Sequence, residues 1–369
     1  MIHLSILLAE SKLKLNIPSD IKKIYKLFKK NRKQLFVVGG AVRDAILGKS
    51  PKDFDLATDA KPDEVLQIAK QGGFNTAEVG KSFGVVIVGG HEIATFRKDI
   101  GKGRRPKAVD FTDIKGDVMR RDLTINALFY DMGRGEIVDL VGGIKDLQKK
   151  QVRTVGDATA RFAEDPLRKL RAVRFTASVG GKMHADTFNA LKQDSNLGGI
   201  SRERIRDEFV KGLIKAQHPQ KYLKLIDKLK MIHQIFPQIK VNKKFINTNK
   251  YQIQIAYLLM NNKINKVETH LKLNKYTKQE IRNIVYLLQL KYFNVKNIFI
   301  IKKNQGLTTL TNNDMLYWGK LIGKYNLISK LLKFKLSIKG GDLAKSGIKG
   351  SDIQDKIKDM EYKKFMGVG

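Results

Sequence analysis

The chain of 369 residues contains no cysteine and only seven prolines, and no apolar segment approaches the ~18 residues that a membrane-spanning helix needs. The absence of cysteine excludes a disulfide framework, a thiolate zinc site and a cysteine nucleophile. The apolar fraction of 42% is too high for a mostly disordered chain. The first residues, MIHLSILLAESK, carry no basic residue ahead of their apolar patch. We therefore expect no signal peptide, no membrane association and a cytoplasmic location.

Acidic residues are also scarce: the chain has 36 of them and 71 lysines and arginines, which gives a net charge of +35. A charge of this size favours a polyanionic partner, most simply a nucleic acid. The alternative is a lysine-rich coding bias that raises the surface charge without any such partner. After residue 210 the chain carries 32 basic and 9 acidic residues, and Arg282 is its one arginine there. We therefore place the chemistry before residue 210 and bulk anion binding after it.

Apolar patterns predict an α+β fold, with a small mixed-sheet head followed by an all-helical remainder. Short apolar segments bounded by glycines predict strands, and segments with apolar residues at helical spacing predict helices. The strands are expected at 34–38, 54–57, 83–88 and 92–97, and the first helices at 41–47 and 62–70. From residue 157 onward the pattern is helical to the end of the chain.

Two motifs in the head predict a phosphate and metal site. The segment GGAVRD, residues 39–44, connects a predicted strand to a predicted helix, where backbone N–H groups and Arg43 can hold a phosphate. Asp53 and Asp55 are two residues apart at the start of the second predicted strand. In extended chain, residues two apart face one side, so both can bind Mg²⁺ carrying nucleotide phosphates. Taken alone, the Gly-Gly motif is usually just a tight turn and the Asp-x-Asp motif is usually a solvated strand end. Their order and spacing together favour phosphoryl transfer.

The segment RRDLTIN, residues 120–126, offers a carboxylate beside two guanidinium groups. Asp122 can accept a hydrogen bond from a ribose hydroxyl while the arginines hold phosphate or sugar. Asn126 belongs to the same candidate site. The alternative is an ion-paired helix start that Asp122 caps.

The segment RFAEDPLRKLRAVRF, residues 161–175, predicts a helix with a base-reading edge. Proline suits the first turn of a helix, and the three arginines that follow recur at intervals of three residues on one side. Asp165 and Arg168 are one turn apart and offer an acceptor and a donor. Cytosine and adenine satisfy such a pair, whereas uracil and guanine present the opposite pattern. The alternative is a solvated basic stripe.

These motifs, in this order and together with EIATFR and GRRP, resemble class II nucleotidyltransferases of the polymerase-β superfamily. That group contains the tRNA CCA-adding enzymes and the bacterial poly(A) polymerases. The clear match covers residues 34–210. The resemblance implies a catalytic head at 1–140, a helical neck with base recognition at 141–215, a helical body at 216–330 and a tail at 331–369.

The resemblance also implies the ligands. Two Mg²⁺ ions are expected at Asp53 and Asp55, with Glu92 as a further carboxylate or, alternatively, an ordinary strand-edge residue. CTP and ATP are the expected substrates, and the expected partner is tRNA, bound through its acceptor and T arms, with no stable protein partner. The nucleotide-binding candidates are Gly39, Gly40, Arg43, Arg121, Asp122, Asn126, Asp165, Arg168, Arg171 and Arg174.

Two segments bear on which reaction is expected. The segment GKSFGVV, residues 80–86, and the glycine-containing tail at 338–350 are similar to the CCA-adding enzymes, whereas the basic stretch typical of the poly(A) polymerases is missing. The loop KDIGKGRRP, residues 98–106, is one or two residues shorter than the usual pattern, and in this family that loop helps to switch from C to A addition. A CC-adding enzyme and a poly(A) polymerase therefore stay open, as does an inactive RNA-binding relative, against which intact Asp53 and Asp55 argue.

Overall fold

The computed structural model describes residues 15–51, 53–78, 80–101, 108–248, 250–345 and 351–367. The N-terminal segment MIHLSILLAESK, the GRRP motif at 103–106 and the tail glycines at 347 and 350 lie outside these ranges. The chain divides into two compact units, Met1–Ile200 with Ala216–Tyr222, and Ser201–Lys215 with Leu223–Gly369. Within the described ranges, no helix has both the length and the apolar character that crossing a membrane requires.

The first unit is built on a mixed sheet. Its strands and those of two small ribbons are β1 (Leu35–Val38), β2 (Asp55–Thr58), β3 (Thr76–Ala77), β4 (Val85–Val88), β5 (His91–Thr95), β6 (Arg97–Ile100), β7 (Ala108–Phe111), β8 (Phe129–Asp131), β9 (Glu136–Val138), β10 (Gln151–Val152) and β11 (Lys182–Met183). The main sheet has the order β3-β4-β5-β2-β1-β8-β9. Strands β6 and β7 pair antiparallel, and β10 and β11 pair parallel.

Strand β1 lies in the middle of the sheet, and all four of its residues, LFVV, are buried. It pairs antiparallel with β2 and with β8, which is why it is apolar on both faces. Phe36 from β1, Phe96 and Phe129 from β8 contact one another with ring centroids 6.0 to 6.1 Å apart. This aromatic cluster forms part of the core beneath the ends of β1 and β2.

Helices of the first unit pack on the sheet or follow it. They are α1 (Ser19–Lys30), α2 (Gly40–Ile46), α3 (Pro62–Gln71), α4 (Ile114–Met119), α5 (Gly143–Gln148), α6 (Ala158–Glu164), α7 (Leu167–Ser178) and α8 (Ala185–Gln193). Helix α1 buries Ile21, Ile24 and Phe28, which recur at helical spacing. Helices α2 and α3 form within a residue of the ranges predicted for them.

The remaining helices run from residue 202 to residue 366. They are α9 (Arg202–Ile214), α10 (Pro219–Lys228), α11 (Ile232–Ile235), α12 (Tyr251–Leu259), α13 (Ile264–Leu273), α14 (Lys278–Lys291), α15 (Ile298–Gln305), α16 (Asn312–Leu321), α17 (Tyr325–Lys333), α18 (Gly340–Lys345) and α19 (Ser351–Met366). Phe209 and Phe236 contact edge to face at 5.5 Å within the second unit. Buried Glu361 accepts hydrogen bonds of 2.6 Å from the backbone N–H groups of Ser337 and Ile338, and so anchors the segment between α17 and α18.

The predicted α+β architecture is confirmed, because the mixed sheet lies in the head and helices follow it. One difference is the short strand β11, which falls where the pattern is helical. The backbone N–H of Lys182 donates to Lys150, so this segment is held in extended form by a partner distant in the sequence. The head, neck, body and tail boundaries remain predictions.

Candidate nucleotide-binding site

A cavity of about 540 Å³ lies beside the ends of β1 and β2 in the first unit. Two of the predicted carboxylates, Asp55 and Glu92, line it. So do most of the predicted nucleotide-binding residues, namely Gly39, Gly40, Arg43, Arg121, Asp122, Asn126, Asp165, Arg168 and Arg171. Asp53 and Arg174 are not among the residues that line it. The structure therefore gathers residues from four sequence motifs around one cavity.

The two carboxylates are neighbours because of strand pairing. Strands β2 and β5 are parallel, with Leu56 opposite Ile93, so Asp55 and Glu92 precede that pair on adjacent strands. The pKa of Asp55 is raised, first because the carboxylate is partly desolvated in the cavity wall and then because Glu92 and Asp53 repel its charge, while Arg121 opposes the rise. Strand β2 begins at Asp55, one residue later than predicted, so exposed Asp53 precedes the strand.

These carboxylates can supply only some of the ligands that a magnesium ion needs. Among the described residues, no group of three or more histidine, aspartate or glutamate side chains is placed to hold a metal ion. Mg²⁺, however, takes one or two carboxylates and fills its other positions with water and substrate phosphate oxygens. The mutual repulsion that raises the pKa of Asp55 is also what a bound cation relieves. The donor set therefore suits Mg²⁺ that arrives with a nucleotide.

The turn between β1 and α2 depends on Gly39. Its backbone has φ +68° and ψ −118°, a combination that side chains with a Cβ atom hardly adopt. A Cβ atom here would also lie 3.5 Å from Nη1 of Arg121. The glycine thus lets the chain turn sharply beside a guanidinium that lines the cavity.

We expect Gly39→Ala to lower the free energy of unfolding by about 1–3 kcal/mol, because alanine is strained in this backbone conformation. Gly48 is the matched control, since its φ is +70° and nothing lies within 4 Å of a Cβ atom there. Gly48→Ala should cost about 1–2 kcal/mol, from the left-handed backbone alone. Urea unfolding of both variants measures the difference. A loss at Gly48 that exceeds the loss at Gly39 contradicts this account of the turn.

Arg43 connects the GGAVRD and RRDLTIN motifs. Its Nη1 donates to Oδ1 of Asn126 at 2.6 Å, and its Nε donates to Asp44 at 2.8 Å. Asn126 in turn donates to Asp122 at 3.4 Å. The guanidinium of Arg43 also lies 4.9 Å from the ring centroid of Phe175. Packing and hydrogen bonds therefore hold the arginine at the edge of the cavity.

Asp122 is ion-paired rather than capping a helix. Its Oδ2 accepts from Nε of Arg171 at 2.6 Å, and the single helical turn that follows begins after Leu123. Burial alone would raise the pKa of Asp122, but the nearby Arg171 guanidinium holds that pKa below its usual value. The carboxylate is therefore charged at neutral pH and able to accept hydrogen bonds at the cavity wall.

Asp165 and Arg168 both line the cavity, at the junction of α6 and α7. Oδ1 of Asp165 accepts from the backbone N–H of Leu167 at 3.2 Å. Arg168 donates from Nη1 to Glu164 and from Nη2 to the backbone carbonyl of Arg120, both at 2.8 Å. These bonds fix the direction of the Arg168 fork, so an acceptor and a donor are presented to the same volume.

The basic stripe along α7 is not a solvated face. Arg168 and Arg171 line the cavity, whereas Arg174 does not line it and is buried, with 8% of its surface exposed. The guanidinium of Arg174 lies 4.1 Å from the centroid of the Phe175 ring, and that of Arg171 lies 5.4 Å from it. Phe175 thus packs against two arginines of the stripe as well as Arg43.

Sequence reasoning missed three residues of this site. Arg97 and Phe175 line the cavity, and Asp117 is buried behind it. Arg120, the first arginine of the RRDLTIN motif, also lines the cavity. The one signal for Asp117 is its spacing of three and four residues from Arg120 and Arg121, which permits ion pairs on a helix. The orientation of Arg97 and Phe175 depends on packing between distant segments, which no local pattern records.

Comparison with known proteins finds two family models that match parts of the chain. Residues 35–153 match the family described as the poly A polymerase head domain. Residues 182–242 match a second family, described as the probable RNA and SrmB-binding site of polymerase A. The family resemblance inferred from the motifs is therefore confirmed.

Relatives of the head domain are named CCA-adding enzymes. The enzyme of Bacillus pumilus is 42% identical over 210 residues, which cover 55% of this chain and 51% of that protein. The enzyme of Ligilactobacillus salivarius is 42% identical over 219 residues, which cover 56% and 53%. The chain spans about half the length of the curated relatives it matches.

Solved structures share the fold over nearly the whole chain. The Bacillus stearothermophilus CCA-adding enzyme in complex with CTP has a TM-score of 0.70 and 24% identity, and the match covers 95% of this chain and 94% of that one. The Thermotoga maritima CCA-adding enzyme complexed with tRNA has a TM-score of 0.66 and 20% identity, over 96% and 93%. At these identities the likeness establishes the fold alone.

Proposed function

We propose that this chain is a template-independent tRNA nucleotidyltransferase that builds or repairs the 3′-terminal CCA of tRNA from CTP and ATP. The observation that carries the proposal is the single cavity that brings together carboxylates, a glycine turn, arginines and an acceptor–donor pair. The head-domain family and the CCA-adding relatives support the same reaction class. In the proposed reaction, the 3′ hydroxyl of the tRNA attacks the α-phosphate of the nucleotide and pyrophosphate leaves.

Asp53, Asp55 and Glu92 are the carboxylates that would hold Mg²⁺. Two such ions, when bound there, would lower the pKa of the attacking hydroxyl. They would also place positive charge beside the negative charge that develops in the transition state. The reaction is proposed to take place at the end of the cavity that Asp55 and Glu92 line, next to Gly39 and Gly40. Asp55 and Glu92, on adjacent strands, are proposed as the nearer pair.

The other side chains are proposed to bind the nucleotide. Gly39, Gly40 and Arg43 hold the triphosphate, because bare backbone and a held guanidinium can approach phosphate oxygens closely. Arg121, Asp122 and Asn126 lie beside the ribose. Asp165 and Arg168 read the base edge, and Arg171 contacts phosphate. Arg174, which is packed on Phe175, supports this group from behind the cavity wall.

The proposed function is tested with tRNA that lacks its CCA end, offered each nucleoside triphosphate alone and then CTP with ATP. We expect C incorporation with CTP alone, and a completed CCA end with CTP and ATP together. Two added C residues and no A would identify a CC-adding enzyme. A long A tail with ATP alone would identify a poly(A) polymerase. No incorporation under any condition would leave an inactive RNA-binding relative.

The domains are proposed as a catalytic head at 1–140, a neck at 141–215, and a body at 216–330 and tail at 331–369 that bind tRNA. The basic excess after residue 210 supports tRNA as the partner, through its acceptor and T arms. Double-stranded RNA offers little base readout to side chains, so shape and phosphate contacts are expected to dominate.

We expect tRNA affinity to fall steeply with salt, because lysines that neutralise phosphates release counterions. About four or more phosphate contacts correspond to a roughly 100-fold loss of affinity between 50 and 200 mM salt. Filter binding of tRNA across this range measures the slope. A dissociation constant that does not change with salt contradicts the prediction and favours a coding bias as the source of the lysines.

A further inference from the structure

Asp117 is buried behind the cavity and contacts two arginines that line it. Its side chain is 1% exposed in helix α4. Oδ1 accepts from Nε of Arg120 at 2.8 Å, and Oδ2 accepts from Nε and Nη2 of Arg121 at 3.1 and 2.9 Å. Oδ1 also lies 3.4 Å from the backbone N–H of Arg97 at the start of β6. One carboxylate thus joins three cavity-lining residues.

The two guanidinium groups depend on this carboxylate for their orientation. Arg121 uses Nε and Nη2 on Asp117, and its Nη1 donates to the backbone carbonyl of Asn126 at 3.2 Å. The guanidinium carbon of Arg121 also lies over the ring of Phe129, 4.6 Å from its centroid, and this contact further restricts the fork. Further N–H groups on Nη1 and Nη2 stay available to a ligand.

Charge explains why the pair needs Asp117. Arg120 and Arg121 are consecutive and both face the cavity, so their positive charges repel. Burial alone would raise the pKa of Asp117, yet the two arginines hold that pKa below its usual value. The carboxylate is charged, and it satisfies both guanidinium groups on their protein side.

The same segment also supports the base-reading edge. The backbone carbonyl of Arg120 accepts from Nη2 of Arg168 at 2.8 Å. A displacement of residues 120 and 121 would therefore move an acceptor on which Arg168 depends. Asp117 is connected in this way to both sides of the cavity without lining it.

We propose that Asp117 is a positioning residue, which sets nucleotide affinity through Arg120 and Arg121 and does not touch the substrate. This inference rests on the proposed nucleotidyltransferase function. Asp117→Asn tests it, because asparagine has nearly the same shape but offers an amide N–H₂ where one guanidinium now donates. The amide N–H₂ of the asparagine then faces a guanidinium N–H, so two donors meet without an acceptor and one of the two arginines must move away.

With tRNA lacking CCA as the acceptor, we expect Asp117→Asn to raise the KM for CTP about tenfold or more and to change kcat by less than about threefold. The tRNA dissociation constant should match that of the wild type. Asp113→Ala is the matched control, because Asp113 caps the same helix by accepting from Gly116 at 2.9 Å and does not line the cavity. This control should lower stability and leave the KM unchanged.

A purely structural role gives a different result. Partial unfolding lowers the active fraction, and hence the apparent kcat, while the remaining folded molecules keep the wild-type KM. That pattern in Asp117→Asn, or a KM shift of equal size in Asp113→Ala, would overturn the inference. If Asp117→Asn does not fold, Arg120→Gln and Arg121→Gln provide the test. The inference is also overturned if neither of these two variants raises the KM for CTP. An inactive wild-type chain would instead contradict the proposed function itself.

Discussion

Nucleotide transfer is expected to fall by about 10³-fold or more when Asp55 is replaced by alanine, a loss of several kcal/mol of transition-state stabilisation. The physical reason is that Asp55, which lines the cavity beside Glu92 on the adjacent strand, is one of the carboxylates proposed to hold Mg²⁺. We expect the same result for Asp53→Ala, because Asp53 lies close enough to Asp55 to repel its charge and is proposed to hold the same ions. Single-turnover incorporation of CTP into tRNA lacking CCA measures the rate, and gel-shift binding shows that tRNA affinity is retained.

Asp59 provides the matched control for these variants. It is an exposed aspartate just after the other end of β2, where Oδ1 accepts from the backbone of Gln34 at 2.8 Å, and it does not line the cavity. Asp59→Ala should keep a rate close to that of the wild type. Near-normal transfer by Asp55→Ala would remove the carboxylates from the proposed mechanism, and an equal loss in Asp59→Ala would show that the effect is one of folding.

The second large effect concerns the choice of base. If Asp165 accepts from the exocyclic amine and Arg168 donates to the ring acceptor, then CTP and ATP satisfy the pair and UTP and GTP do not. Each mismatched group costs about 1–3 kcal/mol, which corresponds to roughly 5- to 150-fold in discrimination. Asp165→Ala should therefore relax the rejection of UTP and GTP. Single-nucleotide incorporation with all four nucleotides measures the ratios of kcat/KM.

Arg43→Ala should have the opposite profile, because a triphosphate contact is common to all nucleotides and its loss weakens all four equally. Asp157→Ala controls for helix effects near Asp165, since Asp157 caps α6 through a 2.7 Å bond from Ala160 and does not line the cavity. It should change neither affinity nor discrimination. Wild-type discrimination in Asp165→Ala would show that this residue does not read the base.

Local motifs account for the parts of the site that one strand–turn–helix unit contains. The turn at Gly39 and the helix that carries Arg43 are predictable because φ, ψ and helical spacing are properties of adjacent residues. The same holds for the α6–α7 junction, where the position of Asp165 follows from Pro166 after a helical segment. The α+β class follows from the periodicity of the apolar residues.

Pairings between distant segments account for what could not be predicted. The sequence offered Glu92 either as a further carboxylate or as an ordinary strand-edge residue. The parallel pairing of β2 with β5, which are not consecutive strands, decides that it lies beside Asp55. The short strand β11 forms only because β10 lies beside it. Arg168, Arg171 and Arg174 have the same spacing, yet two line the cavity and Arg174 packs on Phe175.

The sequence by itself thus determined the fold class, the order of the motifs and the residue types of a nucleotide site, since these depend on backbone geometry and on neighbours within a few residues. Only the tertiary structure decided which charges meet. Buried Asp117 joining Arg120 and Arg121, and the carbonyl of Arg120 holding Arg168, are contacts set by packing. The physical reason is that a charged side chain takes its partner from whatever the folded chain brings within about 3 Å, and sequence spacing limits that choice without making it.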